Sequence, residues 1–312
     1  MVRFFKLMLM TAAFLMVFCS CKDSKVKEYT TECYGLNGDV KEVKTSAYTA
    51  KMNFDEIEKD ERVKYDSDMP LRLYYLFKYV ESGSVNVRQF DEKGKITVES
   101  EYAYDLDMVG KSVYEWNDNL LKMINYYDEN GRNAYFENLY DGDVNIGFVY
   151  EREFQYIDKF YQKVLYKRDN DGEIVEMCDY TEDGILRFKQ ILEVVDGKTL
   201  NGSVYNTDGS LECKYEYEYK DEKVSMFRQI TGDEVWTVNY DDGLIISSNG
   251  GNKYYPDLEF SYNEWRDPVT MKRDNDEYTF EYEYDKCHNW TKRITYKGIK
   301  PMFIEERVIE YY

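Results

Sequence analysis

Ten of the eighteen glycines in this chain directly follow Asp or Asn, and that pairing restricts the fold more than any other feature. Asn-Gly and Asp-Gly supply the two positive φ angles of a type I′ turn, whose twist matches the strands it joins. The phrase returns as FDEKGKI (90–96), YDENGRN (127–133), DNDGEIV (169–175), YTEDGIL (180–186), YNTDGSL (205–211) and YDDGLI (240–245), with a degenerate copy, YDKCHNW, at 284–290. Between these tips apolar and polar residues alternate. In 211–219, Leu211, Cys213, Tyr215, Tyr217 and Tyr219 share one face and Glu212, Lys214, Glu216 and Glu218 the other. The same alternation sets Tyr278, Phe280, Tyr282 and Tyr284 against Thr279, Glu281, Glu283 and Asp285. A period of two with one apolar face marks antiparallel strands packed on one side only.

The expected fold is therefore all-β, an antiparallel meander of hairpins forming a twisted, curved sheet, with a β-sandwich or a hairpin array of MORN type as alternatives. The 33 tyrosines among 312 residues favour half-buried strands. No Pro-rich or Gly/Ser-rich linker divides the chain, so residues 34–312 read as one domain. KRDND at 167–171 and 272–276 is the clearest longer repeat, and its surroundings diverge. The stretch 52–69, MNFDEIEKDERVKYDSDM, breaks the alternation with charged helix formers and predicts a short helix or a long surface loop before strands resume at Leu71.

The N-terminus reads as a sorting signal. Arg3 and Lys6 precede an apolar run of twelve residues, Leu7 to Phe18, too short for a comfortable membrane span and suited to a signal peptide. Phe18-Cys19-Ser20-Cys21 resembles a bacterial lipobox, in which the cysteine after a small residue is lipidated. Cys21 follows Ser20 and precedes an abrupt change to charged residues, so it is the expected anchor: residues 1–20 as lipoprotein signal peptide, 21–33 as a short tether. Lys22-Asp23 resembles the export tag of surface-exposed lipoproteins in one Gram-negative lineage. The expected location is the outer membrane, lipid-anchored and on the cell surface, with the periplasmic face or secretion as alternatives.

Charge narrows the partners. Removing residues 1–20 takes Arg3 and Lys6 away and leaves 39 basic against 61 acidic side chains, a net charge of −22. Such a chain is repelled by nucleic acids and anionic headgroups. The sequence offers neither cofactor nor metal pattern. The lone histidine is His288, and Cys33, Cys178, Cys213 and Cys287 contain no C-x-x-C pair, though their even number allows three disulfide pairings. Cys178 and Cys213 fall in alternating runs and read as small buried hydrophobes. Gly197-Lys198-Thr199 lacks the earlier glycine of a phosphate loop, since Leu192 stands there. Asp169-Asn170-Asp171-Gly172 lacks the spaced ligands of a calcium loop. No nucleophile elbow or triad is legible.

The tips Tyr127-Asp128-Glu129-Asn130-Gly131 and Tyr284-Asp285-Lys286, followed by Asn289-Trp290 and Arg293, resemble the tyrosine-aspartate (YD, or Rhs-like) repeats of bacterial cell-surface proteins. Leu36-Asn37-Gly38-Asp39-Val40-Lys41-Glu42-Val43 is similar to the first strand of small lipoproteins with such repeats. The resemblance spans about 34–312. In large members these repeats wind a β strip into a closed shell around a toxin. This chain has no toxin domain and is expected to be too short to close a shell, so encapsulation does not carry over. Cys287 and His288 also replace the usual small tip residues.

The functional expectation is a non-enzymatic binding or scaffold module at the outer membrane. The alternatives are a glycan-binding protein using Tyr215, Tyr217, Tyr282 and Tyr284, or a surface hydrolase using carboxylates from neighbouring strands. A third class is an assembly partner offering a sheet edge. Cross-strand packing of the tyrosines accounts for the alternation without a ligand.

Overall fold

The computed structural model describes residues 29–312 except 55, 64–84, 104, 155–156, 251–256 and 274. The signal peptide, Cys21 and the proposed resumption of strands at Leu71 lie outside the described residues.

The chain is all-β, but the sheet is not an open curved strip, a sandwich or a MORN-like array: it closes on itself. Strand β1 (Val40–Asn53) is the seam. Along one edge it pairs with the last strand, β21 (Lys300–Tyr311), from Val40 opposite Tyr311 to Thr49 opposite Phe303. Two collinear strands share its other edge. The first, β2 (Glu56–Arg62), lies opposite Tyr48–Asn53, and the second, β3 (Val85–Phe90), lies opposite Glu42–Ser46. From β3 onward each strand pairs antiparallel with the next until β21, so that twenty of the 21 described strands form the ring and β2 stands beside it. The expectation that the chain is too short for closure fails because little of it is spent on loops. Strands of five to fourteen residues are joined mostly by tips of two to five residues, so a short chain makes many strands.

The repeated phrase lies on both ends of this barrel. Tips at 91–95, 169–173, 242–243, 263–267 and 285–289 line the first rim, with the residue 37–39 entry and Tyr311. Tips at 129–130, 181–185, 207–210 and 298–299 line the second. Two turn types appear. Asp196 with Gly197 and Asp242 with Gly243 have paired positive φ angles, 51° and 76°, 48° and 79°, which is the expected type I′ geometry. The longer tips instead make a type I turn closed by one left-handed residue. The Gly94 N–H donates to Asp91 O, and Asp91 Oδ1 accepts the N–H groups of Lys93 and Lys95. Asp169 with Gly172, and Asp285 with His288, repeat this pattern. His288 takes the left-handed position at φ 62°, so the degenerate copy keeps the turn geometry without glycine, at a cost of about 1–2 kcal/mol.

Period-two alternation decides which side chains face inward. On β13 (Leu211–Lys220), Cys213, Tyr215 and Tyr217 are buried while Lys214 and Glu218 are exposed. Tyr217 lies opposite Phe227 of β14 (Lys223–Thr231), which lies opposite Val238 of β15 (Glu234–Asp241); both are fully buried. The inward face continues through Leu192, Met177, Val164 and Phe148, and a second cluster gathers Val40, Val43, Phe90, Ile96, Tyr114, Leu121 and Ile124. Gly147 permits one tight contact of neighbouring strands. A Cβ there would stand 2.1 Å from the Val164 carbonyl oxygen.

The charged stretch at 52–69 is neither helix nor loop where it is described. Residues 56–62 form β2, paired with β1 after a turn at Phe54. Its residues are charged because most of its length is exposed, and tertiary pairing with β1 overrides their helix propensity.

Candidate functional site

The first rim is laced by side chains. Side chains there reach from one hairpin to the next. The Lys95 ammonium donates to the Asp118 carbonyl, Arg168 to the Asn145 carbonyl (2.9 Å), and Lys198 pairs with Glu222 (2.7 Å). Asp242 receives both Lys223 and Arg266, and these partners hold its carboxyl below the usual range. At the seam, Asn289, 2 % exposed, accepts the Asn37 N–H (2.7 Å) and donates to the Asn37 carbonyl (2.8 Å) and the Tyr311 hydroxyl (2.8 Å). Tyr311 in turn donates to Asp285.

The chain enters the ring through this rim. The Thr31 N–H donates to Gly94 O and the Ile96 N–H to Tyr29 O, both at 2.8 Å. The Tyr29 ring lies 5.4 Å from that of Tyr114, and Tyr34 lies 5.9 Å from Phe90 under the Arg88 guanidinium at 4.6 Å. Tyr114, Phe90 and Arg88 all point inward, so residues 29–36 seat against the inner wall. No periodic signal marks this seat, because the contact is made by isolated rings on an irregular segment.

Charged side chains also enter the interior, as pairs on either side of the seam. Arg88 binds Glu99 (2.7 Å), which also receives Asn86 and Tyr114, each at 3.3 Å. Arg293 of β20 (Trp290–Lys297) makes two 2.6 Å contacts with Glu305, and the Arg307 guanidinium lies 3.6 Å above the Trp290 ring. Buried charge persists only when paired and hydrogen-bonded. These two carboxylates are thus engaged as counterions. Asp179 and Asp267 are different. Burial raises both, against the opposing pull of Arg187 on the first and of the Tyr284 hydrogen bond on the second.

The tyrosines singled out in sequence lie on the inward face. Tyr215 and Tyr217 are 3 % and 7 % exposed, with rings 5.7 and 5.1 Å from Phe227. Tyr282 donates to the Pro268 carbonyl (2.8 Å). Tyr284 donates to Asp267 (2.8 Å) and accepts from Asn263 (2.7 Å). Burial pushes the Tyr217, Tyr282 and Tyr284 hydroxyls well above their ordinary range. The structure does not bring the four together: Tyr215 and Tyr217 sit on β13, and Tyr282 and Tyr284 on β19 (Asp276–Tyr284).

The four described cysteines are free thiols. Cys213 is buried, which pushes its thiol up to about 11, and Cys178 is half-buried on the outward side beside Glu176. His288 stacks on Trp265 at 4.0 Å on the first rim. Gly197-Lys198-Thr199 is a hairpin tip and the start of a strand, and Asp169–Gly172 is a turn whose Asp169 side chain is occupied by backbone N–H groups. Among the described residues, no group of three His, Cys, Asp or Glu side chains is placed to hold a metal ion.

No family model and no curated protein matches this chain. Among solved structures, a porin-like protein from Bacteroides uniformis ATCC 8492 is similar over 88 % of this chain and 99 % of its own, at 9 % identity and a TM-score of 0.34. The Photorhabdus luminescens Tc holotoxin pore matches 72 % of this chain at 9 % identity and a TM-score of 0.28, and TcdB2-TccC3-TEV matches 70 % at 12 % and 0.27. This chain spans 17 % and 14 % of those two toxin chains. At these TM-scores the likenesses carry no conclusion about fold or role.

Proposed function

We infer that this chain is a lipid-anchored outer-membrane module whose barrel stands in water and serves as a binding or scaffold unit. The observation that carries this reading is the chemistry of the wall. Its outward side carries ion pairs on strand after strand: Glu216 with Arg228 (2.8 Å), Glu176 with Lys189 (2.8 Å), Glu283 with Lys292 (2.9 Å), Glu306 with Lys59 (2.8 Å) and Glu310 with Lys41 (2.7 Å). A membrane-spanning barrel has the opposite arrangement, apolar outside and polar within, and a Lys or Arg facing lipid at the bilayer midplane costs about 2–4 kcal/mol. The inward face here carries the continuous apolar clusters, and the charges that enter it include the paired Arg88–Glu99 and Arg293–Glu305. Attachment would then rest on Cys21. Seven residues lie between Cys21 and Tyr29, eight Cα steps, so the first rim would stand within roughly 26–29 Å of the acylated cysteine at full extension.

The test is fractionation of Cys21→Ser. The variant should lose fatty-acid labelling and leave the membrane fraction as a folded protein that needs no detergent. Persistence in membranes through an alkaline carbonate wash would refute an aqueous barrel, and labelling that survives in Cys21→Ser but disappears in Cys19→Ser would move the anchor.

A further inference from the structure

Closing a sheet into a ring removes its edges, and this chain closes its ring while leaving one strand outside. Among the described residues, β2 pairs with β1 alone. The register sets Asn53 opposite Glu56, Lys51 opposite Glu58 and Met52 opposite Ile57. The pair flanking a two-residue turn exchanges hydrogen bonds and the next pair does not, so Ile57 and Lys59 turn their N–H and C=O groups away from β1. Among the described residues no strand takes these groups, and they form a short ladder beyond the second rim.

The side chains along this ladder sort cleanly. Glu56, Glu58 and Asp60 share one face, answered there by Lys51 (3.2 Å from Asp60) and by the Asn53 amide (2.9 Å from Glu58). The other face carries Met52, Ile57 and Lys59, and Lys59 is already drawn to Glu306 at 2.8 Å. At the turn, Phe54 is 96 % exposed and Met52 54 %. Three acids on one face and an apolar patch on the other describe what an added strand would have to present.

We propose that β2 is a docking edge for an extended segment of another protein in which basic and apolar residues alternate. The segment adds as an antiparallel or parallel strand, its backbone bonded to Ile57 and Lys59. Its basic side chains meet Glu56, Glu58 and Asp60, and its apolar ones cover Ile57 and reach Met52 and Phe54. A second copy of this chain fits poorly, since it would set the same three acids against their own images between molecules of net charge −20.

The probe is a labelled seven-residue peptide alternating lysine and valine, with a glutamate and valine peptide as its counterpart, titrated against the full chain carrying Cys21→Ser and read by fluorescence anisotropy. The lysine peptide should bind and the glutamate peptide should not. Ile57→Pro removes a free-edge donor without changing charge, so it should lower affinity at least tenfold while thermal unfolding stays as in the parent chain. The triple variant E56K/E58K/D60K should exchange the preference between the peptides. Amide hydrogen exchange guards against a misfolded variant: Ile57 and Lys59 should exchange fast in the free chain and slow down when the peptide is added. Equal binding by Ile57→Pro would reduce the effect to bulk charge and overturn the proposal. So would slow exchange at Ile57 and Lys59 before peptide is added, which means the edge is already covered. A peptide-free dimer that Ile57→Pro abolishes would assign the edge to a second copy instead.

Discussion

Truncating Tyr217 to alanine tests the division of the wall into a packed inner face and a wet outer one. The ring is 7 % exposed and lies 5.1 Å from Phe227, which is itself fully buried and in contact with Tyr215 and Trp236, both at 5.7 Å. Deleting a buried aromatic typically costs about 3–5 kcal/mol. Part of that, about 0.5–1.5 kcal/mol, belongs to the ring pair and should appear as the coupling energy in a Tyr217→Ala/Phe227→Ala cycle. The neighbours on the same strand supply the contrast. Glu216 pairs with Arg228 on the outer wall with side chains 42 % and 37 % exposed, so Glu216→Ala should cost no more than about 1 kcal/mol. Glu218→Ala should stay within about 0.5 kcal/mol. Urea unfolding followed by circular dichroism measures all three, with unchanged m-values as the check that the unfolded state is not the cause. A Tyr217→Ala chain as stable as Glu218→Ala would refute the inward placement, and loss of polysaccharide binding by that stable variant would restore the tyrosines as a ligand platform.

Three further expectations follow from the geometry. Gly147→Ala drives a Cβ to 2.1 Å from Val164 O and should cost about 2–4 kcal/mol, whereas Gly209→Ala, at φ 80° in open space, should cost about 1–2 kcal/mol; equal melting temperatures would dismiss the close strand approach. Burial raises the hydroxyls of Tyr126, Tyr217, Tyr240 and Tyr282, and Tyr262 to about 12. The unfolded chain therefore gives up these protons near pH 10 while the folded one keeps them, and stability should fall above pH 10 by up to about 1.4 kcal/mol per pH unit for each. Part of the tyrosinate absorbance should appear only as the chain unfolds; complete ionisation of all tyrosines in a chain that is still folded would contradict their burial. Arg293→Met leaves Glu305 as an unpaired buried carboxylate and should cost about 3–5 kcal/mol, and the double variant with Glu305→Leu should recover most of it; denaturation midpoints that simply add would show the pair is not coupled.

Strand direction and facing were legible because each depends on a few neighbours. Cys213, Tyr215 and Tyr217 alternate with Lys214, Glu216 and Glu218, and that pattern holds whatever the sheet does further away. Closure was not legible, since it rests on β1 meeting β21, and nothing in Val40–Asn53 marks it as able to accept partners on both edges. The stretch 56–62 misled for a related reason: an exposed strand needs no apolar face, so the period-two signal disappears. Tip position was visible and tip type only partly so. Asp-Gly at 242–243 forms the expected paired left-handed turn, while Asp91 to Gly94 uses the aspartate as a cap for backbone N–H groups, and both read alike in one dimension. The seat of Tyr29 and Tyr34 left no trace, because two rings on an irregular segment have no period to detect.

The seam between β1 and β21 has a consequence for how this molecule is made. Val40 and Tyr311 are partners separated by nearly the whole chain, so the first strand to be synthesised cannot complete its pairing until the last has been delivered. Every intermediate before that moment carries raw strand edges, which are the surfaces that recruit other chains. Pairings of such long range are also slow to form. A chain lacking Lys300–Tyr311 would keep β1 and β20 open for good, so C-terminal shortening by one strand should drive the chain to aggregate, where removal of a terminal strand from an open sheet would merely expose the next one.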